Sequence, residues 1–210
     1  MNVTIIGAGN MGRGIAGRIA AGGHAVTIID AAPGKADRLA TELRAAPLRG
    51  AIRSSAVDRP VADPVVVLAL PYAAARDYAA ANRAALAGRI VIDITNPLNA
   101  TYDGLATRPG VSAAEEFAAL LPESRVVKAY NLNFAGPLSG VRGDAADVFV
   151  AGDDAAAKAI VLGLVRDGGQ NAIDAGPLAR AQQLEGLALL GITLQGPLNL
   201  GFQSQWKLVA

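Results

Sequence analysis

A glycine-rich turn set between an apolar strand and a helix constrains this chain more than any other feature. Val3-Thr4-Ile5-Ile6 is rich in β-branched residues and short enough to be a buried strand. Gly7-Ala8-Gly9-Asn10-Met11-Gly12 follows, and residues 10–21 then carry small or apolar side chains at helical spacing, Met11, Ile15 and Ile19 among them. A strand, a tight turn and a helix in that order open a dinucleotide-binding βαβ unit. Gly7 allows the sharp turn, Gly9 lets the backbone approach a pyrophosphate, and Gly12 lets the helix pack against the strand. The helix start, with Asn10 and Met11, offers exposed N–H groups and a partial positive charge to the anion. A bare G-x-G-x-x-G is weak evidence. Here a second apolar strand, Ala25-Val26-Thr27-Ile28-Ile29, ends in Asp30, where such units place the carboxylate that meets a ribose.

Strand and helix patterns alternate along most of the chain. Residues 33–44 read as a helix with Pro33 near its start, and a short strand is expected at 51–53. Val65-Val66-Val67-Leu68-Ala69-Leu70 is apolar at every position, as a central parallel strand should be, and Pro71 stops it. An alanine-rich helix over 72–86, a strand over 89–95 and a helix over 112–121 follow. Ser112 with Glu115 three residues on makes a capping box for the last of these. The second half predicts strands at 125–130, 147–151 and 171–174, a loop at 131–143, and helices at 153–166 and 177–193. The tail 202–209 alternates and reads as an edge strand or an ordered arm. The fold class is therefore α/β: a Rossmann-like, doubly wound, mostly parallel sheet with helices on both faces and a C-terminal helix. Residues 1–210 form a single domain, with 176–210 as a helix and tail.

Composition narrows the chemistry. Hydrophobic residues make up 52% and aromatics only 4%, so the core is built from Ala, Val, Leu and Ile. The formal net charge is +1, from 19 basic and 18 acidic residues, and no basic block points to nucleic acid or anionic lipid. There is no cysteine, which removes disulfides, thiolate catalysis and cysteine-held zinc, and no metal site is expected. No apolar run reaches the roughly 20 residues that cross a bilayer. The amino terminus enters a strand at once, so a cytoplasmic location is the expectation. A dinucleotide sheet takes roughly 150 residues, which leaves too few for a separate substrate domain. A second ligand should then sit in the open crevice at the carboxyl ends of the strands.

The loops at that edge supply the candidates. Leu70, Pro71 and Tyr72 turn the chain beside the expected nicotinamide, and Asn96, Pro97, Leu98 and Asn99 combine amides with a rigid turn. Asn131 and Asn133 follow the next strand. His24, the only histidine, falls at the opposite edge and reads as structural. Lys128 and Tyr130, at i and i+2 of one strand, would share a face and are weak candidates for a proton donor, with Asn131 beside them. Glu115 and Glu116 read as a capped, solvated helix start. With few acid–base residues, the site suits hydride passage between stacked rings, which demands positioning above all. Leu70, Pro71, Leu98, Leu132 and Phe134 would line it.

Taken together, the motifs G-x-G-N-M-G, V-V-V-L-A-L-P-Y, D-I-T-N-P-L-N, V-V-K-A-Y-N, V-A-G-D-D-x-x-x-K and D-A-G-P-L-x-x-A-x-x-L-E resemble the compact oxidoreductases related to deazaflavin (coenzyme F420):NADP reductase, with the reductase domain of the Steap metalloreductases a further relative. The resemblance implies a dinucleotide on residues 9–11 and a nicotinamide near Leu70, Pro71, Asn96 and Ala129. It also implies a flavin or deazaflavin stacked over the nicotinamide, and a homodimer formed through the helix from Pro177 onward. NADP-using members carry Ser-Arg or Ser-Lys after the second strand. This chain has Asp30-Ala31-Ala32, a carboxylate that favours NAD unless Lys35 or Arg53 compensates, so both NAD and NADP remain open. Asn131 stands where the deazaflavin enzymes place a histidine, which leaves F420 and a flavin both open as the second cofactor. The leading expectation is a nicotinamide-dependent oxidoreductase acting on a small-molecule redox partner of flavin type. The alternatives are reduction of a small carbonyl or imine at the same crevice, and a dinucleotide-binding sensor without turnover.

Overall fold

The computed structural model describes residues 1–59, 61–139 and 145–209. In chain order the elements are β1 (Asn2–Ile6), α1 (Asn10–Ala21), β2 (Ala25–Ile29), α2 (Lys35–Arg44), β3 (Ile52–Ser54), β4 (Val65–Leu68), α3 (Tyr72–Ala81), α4 (Arg83–Leu86) and β5 (Ile90–Asp93). They continue as α5 (Ala113–Leu120), β6 (Arg125–Lys128), α6 (Ala135–Ser139), β7 (Asp147–Gly152), α7 (Ala155–Asp167), β8 (Asn171–Gly176), a 3₁₀ turn (Leu178–Arg180) and α8 (Ala181–Thr193). The strands form one eight-stranded sheet in the order β3-β2-β1-β4-β5-β6-β7-β8. Every pairing is parallel except β6 with β7, which is antiparallel. The order reverses direction at β1 and β4, so the loops leaving those strands diverge and open a crevice at their carboxyl ends.

Alternation along β1 shows how the core divides. Val3 and Ile5 point to the face covered by α1, α2 and α7, where they meet Ile15, Ile19, Leu39 and Val161. Ile6 joins the other face with Ala75, Ala79, Ala114 and Phe117, from α3 and α5. Ile5, Ile15 and Ile19 are completely buried, and each contributes roughly 1.5–3 kcal/mol of apolar burial. A third, smaller cluster forms where Leu184 and Ala188 of α8 cover Ala151 of β7 and Leu132.

Several boundaries depart from the sequence reading. The helix expected over 72–86 breaks at Asn82, whose φ of −116° and ψ of 21° separate α3 from α4. Within the loop expected over 131–143 a short helix, α6, packs on α1; residues 140–143 lie outside the described residues. The helix expected from Pro177 begins with a 3₁₀ turn before α8. The tail forms no strand among the described residues. It runs as an arm, with the Phe202 N–H donating to Gln195 Oε1 (2.9 Å) and the Leu208 N–H to Asp147 Oδ2 (2.6 Å). The capping box at Ser112 and Glu115 is present as expected. His24 lies at the far edge, within 2.9 Å of both the Met1 amino group and Asp167 Oδ2. Among the described residues no helix is long and apolar enough to cross a membrane.

Candidate functional site

The turn after β1 separates into glycines that the protein needs and one that it does not. Gly7 has φ +108°, and a Cβ there would lie 2.3 Å from the Ala69 carbonyl oxygen, so the close passage of β4 excludes any side chain. At Gly12 a Cβ would sit 2.0 Å from the Gly7 carbonyl oxygen, which is how α1 packs so closely on the turn. Gly9 differs: its φ of −80° and ψ of −172° suit any residue, and a Cβ would meet nothing within 4 Å. Protein packing gives no reason for glycine at position 9; an open notch at a helix start does. No side chain caps α1 and no acid lies in its first turn, so the N–H groups and positive dipole end of its first turn are without side-chain compensation. The observed cradle therefore fits a pyrophosphate.

Beside the cradle, Asp30 closes β2. Its Oδ2 accepts from the Ala8 N–H (2.7 Å), its Oδ1 from the Ala32 N–H (2.9 Å), and Lys35 Nζ lies 3.3 Å from Oδ2. Burial works to raise its pKa, but the two N–H bonds and the ammonium together outweigh it and hold the carboxyl below its ordinary range. A cavity of about 440 Å³ lies alongside, between the β2–α2 turn and the end of β3.

On the other side of the cradle a cavity of about 490 Å³ begins at Met11. Ile94, Asn96 and Leu98 wall it from the loop after β5, and Tyr130, Asn131, Asn133 and Phe134 from the loop after β6. The last wall was not legible in the sequence: Ile192 and Thr193 at the end of α8, and Phe202 of the tail, which packs edge-on against Phe134 at 5.4 Å. Tyr102 completes the rim. Asn96 and Asn131 lock together, the Asn96 amide donating to the Asn131 carbonyl (2.8 Å) and the Asn131 amide to Asn96 Oδ1 (3.0 Å) and the Leu184 carbonyl (3.1 Å). No Lys, Arg, His, Asp or Glu lines this cavity among the described residues.

The remaining candidates sort themselves by contact. Lys128 and Tyr130 do not share a face. Lys128 is fully buried and donates to Asp93 Oδ2 (2.8 Å), Glu185 Oε1 (2.7 Å) and the Thr95 carbonyl (2.6 Å), a closed ion triad under the crevice floor. Tyr130 adopts φ +62°, which ends the strand's alternation and turns its ring into the α1 side of the core. Its hydroxyl finds no hydrogen-bond partner among the described residues, and burial pushes its pKa well above the ordinary phenol value. All three donors of Lys128 are taken up by its Asp93, Glu185 and Thr95 acceptors, and burial disfavours loss of the Tyr130 proton. Tyr72 commits to α5: its ring meets Phe117 edge-on, its hydroxyl donates to Glu116, and burial followed by that carboxylate pushes it up to about 12. Leu70 lies at Gly7, while Pro71 is exposed at the start of α3, so neither lines the cavity. Leu132 packs under α8 instead. Ala129 is buried beneath the crevice, and Pro97 holds its loop by accepting from the Ala106 N–H (2.6 Å).

Known proteins share this fold. Residues 2–97 match the family model described as NADP oxidoreductase, coenzyme F420-dependent. A candidate F420-dependent NADP reductase from Arthrobacter sp. FB24 is 31% identical, with a TM-score of 0.76 over 94% of each chain. Metalloreductase STEAP3 of Rattus norvegicus is 31% identical over 89% of this chain, which spans only 36% of that larger protein. An imine reductase from Aspergillus terreus, solved in complex with NADPH4 and dibenz[c,e]azepine, shares the fold at 22% identity and a TM-score of 0.66, over 96% of this chain and 63% of its own.

Proposed function

This chain belongs to the coenzyme F420-dependent NADP oxidoreductase family, and from that premise we propose that it passes a hydride between a nicotinamide dinucleotide and a planar flavin or deazaflavin ring. The open notch at Gly9 and the bare start of α1 hold the pyrophosphate, and Asp30 stands at the adenosine ribose. The dinucleotide, when bound, supplies or receives the hydride.

The observation that carries this reading is the composition of the 490 Å³ cavity. It joins the cradle at Met11 and is walled by apolar and aromatic side chains and by amides, with no ionised group among the described lining residues. Reducing a carbonyl to an alcohol benefits from a proton donor within reach. Lys128 is enclosed by its two carboxylates, and the Tyr130 hydroxyl holds its proton tightly. What the residues supply is orientation and exclusion of water, which is what transfer between two rings requires. The Asn96–Asn131 amide pair keeps the crevice floor in one arrangement, and Phe134 with Phe202 closes it from the tail side. Two copies of the chain are expected to pair through α8, where Leu187 and Leu190, three residues apart on one helix face, are exposed.

A panel of acceptors decides the matter. With NADH or NADPH as donor, F420, FMN and FAD should be reduced and cyclic imines and small ketones should not. Turnover of imines with none of the ring acceptors would replace this reading with the imine reductase one.

A further inference from the structure

The family to which the chain belongs is named for NADP, yet the residues around the adenosine ribose do not fit a 2′-phosphate. We propose that this end of the site is built for the free 2′,3′-diol of NAD, and that the chain uses NAD in place of NADP. The inference rests on the dinucleotide lying in the glycine cradle.

The 440 Å³ cavity beside β2 presents two carboxylates, Asp30 and Asp37, and two hydroxyls, Ser54 and Ser55. No lysine, arginine or histidine lines it among the described residues. Asp30 cannot swing aside: its side chain is 9% exposed, and the Ala8 and Ala32 N–H groups each hold one of its oxygens. Burial is more than offset by those bonds and by Lys35, so Asp30 is ionised at neutral pH. Asp37 is likewise held, accepting from the Ser54 hydroxyl at 2.5 Å. The nearest ammonium, Lys35, is half-exposed and pairs with Asp30, cancelling one charge and leaving the other. Arg38 lies against Gly34 outside the lining, and Arg53 sits on β3 between Ile52 and Ser54, so it points to the sheet face opposite Ser54. A 2′-phosphate would bring about 1.5 to 2 further negative charges into this pocket. A diol instead offers O–H donors to carboxylates that can only accept. Ala31, which follows the acid, supplies no side chain to meet a phosphate.

Equilibrium titration by nicotinamide fluorescence tests this without turnover. NADH should bind at least about tenfold more tightly than NADPH, and Gly9→Val should weaken both by about 100-fold or more. The double change Asp30→Ser with Ala31→Arg should reverse the preference. Because Asp30 also braces the turn through Ala8, Asp37→Asn provides a second variant that leaves that brace intact, and it should narrow the gap by strengthening NADPH binding. Equal or tighter binding of NADPH to the unaltered protein, lost in Gly9→Val, would overturn the proposal and leave the cradle standing. Binding of neither nucleotide would overturn both.

Discussion

A Cβ on Gly9 would touch no protein atom within 4 Å, whereas one on Gly12 would press within 2.0 Å of the Gly7 carbonyl oxygen. The two glycines should therefore fail in different ways. Gly9→Val should lower dinucleotide affinity by about 100-fold or more, the scale of one or two lost charge-assisted hydrogen bonds, and leave the melting temperature unchanged. Gly12→Ala should cost about 1–3 kcal/mol of stability from overpacking, measured by urea denaturation. A Gly9→Val protein that loses stability while binding nucleotide normally would mean the notch is structural. The turn after β1 and the position of Asp30 at the end of β2 were legible because each answers to a local demand, a turn or a strand end. Lys128 and Tyr130 were misjudged because the i and i+2 rule holds only within a strand, and a positive φ at Tyr130 ends the strand before the second residue is reached.

Helix α8 acts on the crevice from behind. Glu185 Oε1 accepts from Lys128 and Oε2 from the Ala113 N–H at the start of α5, while the Leu184 carbonyl holds Asn131. Asp93 and Lys128 lie on adjacent strands, and Glu185 follows 57 residues after Lys128, so no window of sequence could join them. The available signal was a single acid within the otherwise apolar Leu184-Glu185-Gly186-Leu187-Ala188-Leu189-Leu190. Glu185→Ala leaves Lys128 with Asp93 and the Thr95 carbonyl but strands the Ala113 N–H, and should destabilise the fold by about 1–3 kcal/mol, read from chemical denaturation. Burial raises the Glu185 pKa above its ordinary 4.5, outweighing the attraction of Lys128. Folding thus takes up a proton at Glu185, so its contribution is fullest below pH 4.5 and is lost as pH rises through the higher folded value. Glu185→Gln should remove that part of the decline in a stability–pH profile, and an unaltered slope would show that Glu185 titrates normally. The tail makes the complementary prediction. Phe202 touches the ring cavity and not the cradle, so Phe202→Ala should raise KM for the ring acceptor several-fold, an apolar contact of about 1–2 kcal/mol, with dinucleotide affinity unchanged.

At the scale of the whole molecule, the strand order puts the cradle and the 490 Å³ cavity on the same edge of one sheet, the cradle after β1 and the cavity over the loops that follow β5 and β6. That layout was legible because apolar strands and amphipathic helices alternate in the sequence, and the doubly wound arrangement is the economical way to cover both faces of a parallel sheet. The third wall was not legible. Ile192, Thr193 and Phe202 reach the crevice only because β7 pairs antiparallel with β6 and carries β8 and α8 around to it, a tertiary consequence with no local pattern. Pairing of two copies through α8 is also tested at this scale: Leu190→Lys should turn a dimer into a monomer in light scattering coupled to size exclusion, and an unchanged mass would place the contact elsewhere. The most direct test of the account as a whole is an anaerobic single turnover with a nicotinamide donor deuterated at its transferable position and F420 as acceptor. The account predicts that the reduced deazaflavin ring carries the deuterium, as read by mass spectrometry. Deuterium retained on a tightly bound donor, with F420 and every flavin left oxidised, would contradict it.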